Sequence, residues 1–528
     1  MLLYVVDTVI GLSYLLLSFL TTYVNCHFWS VVNHLRRVAR CRKYRSTCKD
    51  CIVIFSRYPR PGTTKTRLIP SLGPEGAAYC QLLMTDHILD TLSDLMSTSS
   101  LSGGCEVEVQ YRGGSPEDME YWLGWRRRHI PGLVWVEQVD GDLGNKMKTA
   151  VLRKFTQGKE NVVIIGGDIP GITKHELLES FTKLREDQNM VLGQAEDGGY
   201  YLVGFHRSAC KYMSTIFENI EWGTCKVFQQ QVRNAKLCGA KLGILATVLS
   251  DVDTELEMHI FEKEVGVRRS EIAGGSWSVV IPVLNEAFGI RKTLESVVQN
   301  CSDINCIKEV LVCDGGSTDN THDVITAFGR TSPIRIRLIH SPPGRGLQLR
   351  SGANEARSEC IMFIHGDSIL PQQYNESAFR CLQRPGVVAG AFRFALDLVN
   401  SKDVSSEDRS MRTKLYWLEK FVSWRCGSPA ELPFGDQGLF MRREIYNKSG
   451  GYHKVYLMED FILVDTLKEY GHIGMADRSP LTTSARRWQK SGFIKVTATN
   501  HFIITCYKFG VHPDTLARWY YGDKLKIQ

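Results

Sequence analysis

The sequence predicts an α/β protein with two tandem nucleotide-binding-type sheets behind an apolar N-terminal segment. Three observations predict it. Short apolar, β-branched runs stop at polar or glycine-rich turns, at Cys51–Phe55, Val162–Ile165, Trp277–Val283, Glu309–Cys313 and Cys360–Ile364; strands buried on both faces read this way. Carboxylates stand just past those runs (Asp168, Asp314, Asp367), and in open α/β sheets ligands bind at the carboxyl ends of the strands. Between the third and fourth runs Ile290, Leu294, Val297 and Val298 share one helical face, which makes a strand–helix–strand unit.

The chain has 528 residues, enough for two or three domains. Its 43% hydrophobic and 23% charged residues are ordinary for a globular protein. The net charge of +7 is mild and much of it sits in one place, so no nucleic-acid partner is expected. Sixteen cysteines are scattered without a framework; Cys48 and Cys51 form the one Cys-x-x-Cys, and no second pair stands at zinc spacing. Such thiols suit a reducing compartment.

Taken in order, Leu2–Val24 is apolar with Asp7 as its only charge, long enough to cross a bilayer. Arg36, Arg37, Arg40, Arg42, Lys43, Arg45 and Lys49 follow it. Residues 1–50 are therefore expected to be a membrane anchor with a basic flank, leaving the rest of the chain in the cytosol. A hairpin lying in the interface and a buried helix are the other readings.

Residues 51–265 form the first expected domain. After the strand at Cys51–Phe55, Ser56–Leu68 carries two prolines and a glycine, so it is a loop. Arg57, Arg60, Lys65 and Arg67 crowd it and can cradle a pyrophosphate; a solvated basic loop is the plainer alternative. The strand at 162–165 ends in Asp168, a Glu-Asp-Gly-Gly turn carries Asp197, and Thr247–Thr254 reads as a further strand end with Asp251 and Asp253. Hard divalent cations want such oxygen ligands. Together Pro-x-Pro-Gly-x-x-Lys-Thr-Arg-Leu, Gly-Asp-Leu-Gly at 141–144, Gly-x-Asp-x-Pro, Glu-Asp-Gly-Gly-Tyr-Tyr and Asp-Val-Asp-Thr resemble a bacterial family of nucleotidyltransferase-like GT-A proteins. That resemblance implies that Asp168 and Asp253 hold Mg2+ and a nucleoside triphosphate.

Residues 266–276, glycine-rich with few apolar side chains, are the expected linker. The second domain spans 277–490. It opens Val279-Val280-Ile281-Pro282-Val283-Leu284-Asn285-Glu286, and its second strand ends Asp314-Gly315-Gly316-Ser317-Thr318-Asp319. Asp314 is placed to accept hydrogen bonds from a base or ribose, Gly315 and Gly316 let a ligand approach the backbone, and Asp319 reaches the same nucleotide. Taken alone, the second motif is an ordinary strand end capping a helix. Paired with the first, it resembles the family 2 glycosyltransferases, which have a GT-A fold, and most closely a bacterial subgroup found near radical-SAM genes.

The resemblance implies a nucleotide-sugar donor held through Pro282, Asn285, Glu286, Asp314, Gly315, Ser317 and Asp319. Basic residues of the helix-like segment from Gly344, among them Arg345, are candidates for the diphosphate. His365-Gly366-Asp367 stands where the family has an Asp-x-Asp-type motif, so Asp367 and His365 are the expected ligands of a divalent metal, Mn2+ or Mg2+; imidazole suits Mg2+ poorly. Gly435, Asp436 and Gln437 are candidates for shaping the sugar pocket. The family's Glu-Asp pair falls on Glu459 and Asp460, implying Asp460 as the base that takes the acceptor's proton in an inverting transfer; a helix N-terminus favouring acids is the plain alternative. Thr483–Trp488 resembles the family's C-terminal arginine–tryptophan element, with Arg487 on the diphosphate. Ser484 replaces the glutamine of the full motif, which argues against a processive synthase.

In residues 491–528, Phe493–Val511 is apolar around much of its circumference but interrupted by Lys495, Asn500, His501 and Lys508. An interfacial helix and a buried amphipathic helix fit it equally; an acceptor carried by lipid would suit the first. The expected function is a membrane-associated inverting glycosyltransferase with a fused nucleotidyltransferase-like domain. Two alternatives use the same residues: nucleotidyl transfer in the first domain beside a non-catalytic second, or a nucleotide-binding scaffold.

Overall fold

The computed structural model describes residues 44–45, 47–97, 104–272, 274–397, 416, 419–420, 422–423, 425–427, 430–477, 479–484 and 493–522. The expected N-terminal span and Arg487 lie outside them. Among the described residues no helix is long and apolar enough to cross a membrane. The chain divides into two compact units between Ala273 and Gly274.

The first unit is built on a seven-stranded sheet of β1 (Asp50–Arg57), β2 (Cys105–Arg112), β3 (Val134–Glu137), β4 (Asn161–Gly166), β5 (Met190–Gln194), β6 (Tyr200–His206) and β7 (Leu242–Ile244), in the order β3-β2-β1-β4-β6-β5-β7. Every pairing is parallel except those of β6, which runs against β4 and β5. Alternate residues of β1 serve opposite faces. Ile52 and Ile54 join the core that includes helix α1 (Ile69–Ser97), and Cys51 and Val53 join the one that includes α2 (Leu143–Thr156), as the period of two in a strand requires. Gly73, at φ 71°, breaks α1 just ahead of Pro74.

Two glutamates lie deep in this sheet. Glu106 and Glu108 of β2 are buried, and Lys154 of α2, fully buried itself, meets both at 2.5 and 2.6 Å. Lys159 adds a contact to Glu106 at 2.8 Å. Each charge is thus paired, the condition for burying it.

The second unit repeats the plan. Its strands β8 (Trp277–Val283), β9 (Ile307–Asp314), β10 (Ile336–His340), β11 (Cys360–Phe363), β12 (Val387–Ala391), β14 (Leu439–Arg442) and β15 (His472–Met475) stand in the order β10-β9-β8-β11-β14-β12-β15. Again the fifth position, β14, is antiparallel to both neighbours and all other pairings are parallel. A separate two-stranded sheet joins β13 (Phe394–Asp397) to β16 (Leu481–Ser484). Helix α3 (Arg345–Glu355) packs on β8 and β9 through Gly352; a Cβ there would lie 2.4 Å from Val280 Cγ1 and 2.6 Å from Cys313 Sγ.

In both sheets chain order reverses between the third and fourth positions, β1/β4 and β8/β11. Ligand crevices of open α/β sheets lie at such points. The turn Ile165-Gly166-Gly167-Asp168 after β4 answers to Ile364-His365-Gly366-Asp367 after β11.

Two expectations are corrected. Thr247–Thr254 is no strand: Leu249 makes a single parallel bridge to Ala195, and the edge strand is the earlier Leu242–Ile244. The segment 266–276 is not bare linker, because Arg269–Ile272 is a short helix and Ile272 is buried in the first unit's core. The C-terminal helix Phe493–Lys508 leans on the second unit on one side, with Ile503 buried and Tyr507 edge-on to Phe461 at 5.7 Å; Phe502 and Phe509 remain exposed.

Candidate functional site

In the first unit the strand-end turns are sewn together. Gly167 donates its N–H to Phe55 O at 2.8 Å, while Gln81 and Thr85 of α1 donate to Gly167 O at 3.0 and 3.2 Å. Gly167 must lack a side chain, since a Cβ would meet Ser56 at 2.8 Å. This fixes Asp168 at the mouth of the crevice. Opposite it Lys65, held at φ 50° in the loop after β1, turns its ammonium inward, 2.9 Å from Asp168 Oδ2 and 3.0 Å from Asp253 Oδ1. Its side chain is 5% exposed. Burial lowers the pKa of Lys65, but Asp168 and Asp253 outweigh it and the net shift is upward. Arg67 holds the other oxygen of Asp253 at 2.9 Å.

Asp251 is part of the same electrostatic group. Burial, then the charges of Asp168 and Asp197, push its pKa up to about 6. Asp197 is exposed in the turn after β5, where it accepts the N–H of Gly199 at 2.8 Å. Arg57 ends β1, exposed. The structure therefore gathers Lys65, Arg67, Asp168, Asp251 and Asp253. By contrast, the Gly-Asp-Leu-Gly motif is architectural: Asp142 caps α2 by accepting Asn145 N–H at 2.7 Å, and Gly144 lies beneath Trp222.

In the second unit the loops after β8 and β9 interlock. Asn285 N–H donates to Ser317 Oγ at 2.9 Å and its side-chain oxygen accepts Thr318 N–H at 2.8 Å. Glu286 N–H donates to Thr321 Oγ1 at 2.9 Å and Ala287 N–H to Asp319 Oδ2 at 3.2 Å. Asp314 is 1% exposed; its carboxylate accepts the N–H groups of Gly316 and Ser317 and the Ser317 hydroxyl. Burial raises its pKa, but the contacts of Ser317, His322 and these amides prevail and hold it below the usual carboxylate value. Gln348 of α3, which sequence reasoning missed, donates to Val283 O at 2.7 Å and Cys313 O at 2.8 Å, tying the ends of β8 and β9. A single buried amide in a helix has no sequence signature.

The His365–Asp367 turn packs against the loop after β8. A Cβ at Gly366 would fall 3.1 Å from Val283 and 3.5 Å from Glu286 Cγ, and Thr293 donates to Gly366 O at 2.9 Å. Carboxylate and imidazole donors from one turn fit a divalent ion. Among the described residues no third carboxylate, thiol or imidazole closes a ligand group with them.

Glu459 and Asp460 open a helix, Glu459–Leu467, that follows Met458 at φ 72°. Both are buried. Asp460 Oδ2 accepts Gly435 N–H at 3.1 Å and Oδ1 accepts the Tyr452 hydroxyl at 3.3 Å. Arg345 lies with Nη2 3.4 Å from Asp460 Oδ2, and its Nε donates to Glu459. The guanidinium expected on a diphosphate is thus committed to the acidic pair. Burial drives the Glu459 pKa up, and Arg345 opposes this without cancelling it. Asp460 so faces three donors. Gln437, expected at the sugar pocket, is a fully buried tie that donates to Phe392 O at 3.2 Å and accepts from Arg425 at 3.0 Å.

Residues 278–449 match the family described as glycosyl transferase family 2. Residues 96–224 match a family of uncharacterized proteins conserved in bacteria. An uncharacterized glycosyltransferase of Nostoc sp. is 28% identical over 174 residues, 32% of this chain and 52% of that one. The Bacillus subtilis protein named "Probable glycosyltransferase YdaM" is 26% identical over 204 residues, 37% of this chain and 47% of its own. The chain spans about half the length of these curated relatives. A crystal structure from Desulfovibrio desulfuricans G20, provisionally described as a nucleotide-diphospho-sugar transferase, is 28% identical, with 43% of this chain and 93% of that one covered and a TM-score of 0.36.

Proposed function

We propose that the second unit is an inverting, GT-A-type glycosyltransferase that takes its sugar from a nucleoside diphosphate donor. The observation that carries this reading is the convergence at the β8/β11 switch point: the interlocked loops 285–287 and 314–321 lie beside the His365–Asp367 turn, within a domain that matches family 2. In this reading Asn285, Glu286, Asp314, Gly315, Ser317 and Asp319 line the nucleoside side. Asp367 and His365 hold a divalent ion, which neutralises the donor's diphosphate when bound. Asp460 removes the proton from the acceptor hydroxyl, and Gly435, Tyr452 and Arg345 keep it oriented. The tight hydrogen bonding within the loops orients the donor before reaction, where much of the rate of such a transfer originates.

We further propose that the first unit binds a nucleotide through Lys65, Arg67 and a cation held by Asp168, Asp251 and Asp253, as in nucleotidyltransferase-like proteins. The chain would work at a membrane, on the cytosolic side, its C-terminal helices offering the exposed Phe502, Phe509 and Trp519 to the lipid interface and its acceptor carried by lipid. The test is direct. Detergent-purified protein is given Mn2+ or Mg2+ and a panel of nucleotide sugars, with donor binding followed by calorimetry and nucleoside diphosphate release measured in parallel. One donor should bind and release, and Asp367→Ala should abolish release. A panel with neither binding nor release defeats the reading.

A further inference from the structure

We propose that the second unit holds a transition-metal site, separate from the His365–Asp367 turn, made by Asp314, His322 and His340. Three elements deliver the ligands. Asp314 ends β9; His340 ends β10 and stands opposite Asp314 in the parallel register of the two strands. His322 is the second residue of the helix Thr321–Gly329, which follows the Asp314 turn. One ligand atom from each side chain lies within 4.8 Å of the other two. The two imidazole rings are 5.4 Å apart between centroids and tilted by 54°.

The contact between His322 and Asp314 is the telling one. His322 Nε2 is buried and only 2.9 Å from Asp314 Oδ2. It makes an ion-pair contact there and not a well-aligned hydrogen bond. An imidazole nitrogen and a carboxylate oxygen at that distance share a positive charge, either a proton on the ring or a cation bound by both, and His340 within reach gives a cation the third ligand that a proton does not use. Asp314 is already fixed by the amides of Gly316 and Ser317, the kind of outer support that orients metal ligands. Two imidazoles and one carboxylate form a borderline donor set that favours Zn2+, Co2+ or Ni2+ over Mg2+ or Ca2+. With three protein ligands the ion keeps positions open to water. An ion there would engage the carboxylate assigned above to the nucleoside, so zinc and donor should exclude one another; that consequence rests on the donor reading, whereas the site itself does not.

The full chain, stripped with a chelator, is dialysed against Zn2+ alone, and bound metal is counted for wild type, His322→Ala, His340→Ala and the double variant. Wild type should bind one equivalent per chain more than the double variant, and each single variant should lose more than about tenfold in affinity at that equivalent. Thermal unfolding checks that the variants fold. X-ray absorption on the zinc-loaded wild type gives a second reading that needs no variant: a shell of nitrogen and oxygen with two imidazoles supports the site. Equal zinc binding by wild type and folded double variant, or a shell made of sulfur from the chain's cysteines, overturns it.

Discussion

The two units are one sheet plan used twice, and they differ in where they place the positive charge. In the first, Lys65 puts an ammonium between Asp168 and Asp253, at the switch point itself. In the second, the loop after β8 brings no lysine to Asp367; Asn285 and Glu286 stand in that loop, and the cation is Arg345, across the site on Glu459 and Asp460. A carboxylate cluster neutralised by its own lysine stays folded without ligand but must give up that lysine to bind a metal. A pair that shares an arginine from an adjacent helix is buried without a lysine at the switch point. One architecture thus yields a latched site and a poised one.

The largest effect expected of this contrast is at the poised site. Asp460→Asn should lower transfer by about 10²–10⁴-fold while donor affinity, read by calorimetry, stays unchanged. An active Asp460→Asn enzyme would remove the base from the scheme. The same contrast extends beneath the sheets. Lys154→Met removes the ammonium that Glu106 and Glu108 share, leaving Glu106 to Lys159 and Glu108 to Arg153, and should cost about 2–3 kcal/mol, seen as a lower urea midpoint. The corresponding polar cluster of the second unit, where Ser278 and Arg337 meet Glu309 at 3.0 and 3.1 Å, involves a partly exposed arginine. Arg337→Met should cost well under half as much. Equal losses would erase the distinction.

Much of this was legible in the sequence because buried parallel strands announce themselves. The runs at Cys51, Val162, Trp277, Glu309 and Cys360 all became strands, and carboxylates stood just past several of them. β2 did not announce itself, since Cys105-Glu106-Val107-Glu108 alternates like a half-exposed strand while Lys154, some fifty residues on, makes both faces interior. The role of Arg345 was equally hidden, because its partners lie 114 and 115 positions away. The Thr247–Thr254 segment misled because its apolar residues carry strand propensity, yet beyond the bridge of Leu249 it finds no ladder. His322 and His340 carry no motif; only the β9–β10 register brings the latter to Asp314.

Arg345→Gln sharpens the contrast from the other side. The guanidinium opposes protonation of the Glu459–Asp460 pair, so its loss should move the acid limb of the pH–rate profile to higher pH. A lower rate with an unmoved limb would mean that Arg345 serves packing alone.

The smallest effect belongs to the latched site and is a matter of linkage. Folded protein holds the proton of Asp251 up to about pH 6, against an ordinary value of 3.8 in the free side chain. Between those values the native state binds more protons than the unfolded chain, so this group's contribution to stability is full below about pH 4 and is lost as pH rises through about 6. Asp251→Asn removes the titration. It should leave stability nearly unchanged near pH 4 and raise it by about 1 kcal/mol above pH 6, less than the full shift would give because the group is partly solvated. A divalent cation at the cluster replaces the same proton, so its affinity for wild type should climb as pH passes through about 6, and Lys65→Met, by withdrawing the competing ammonium, should strengthen it at every pH. Manganese binding followed by electron paramagnetic resonance reads both; an affinity indifferent to pH and to Lys65 would mean that the aspartates of the first unit serve the lysine and not a metal.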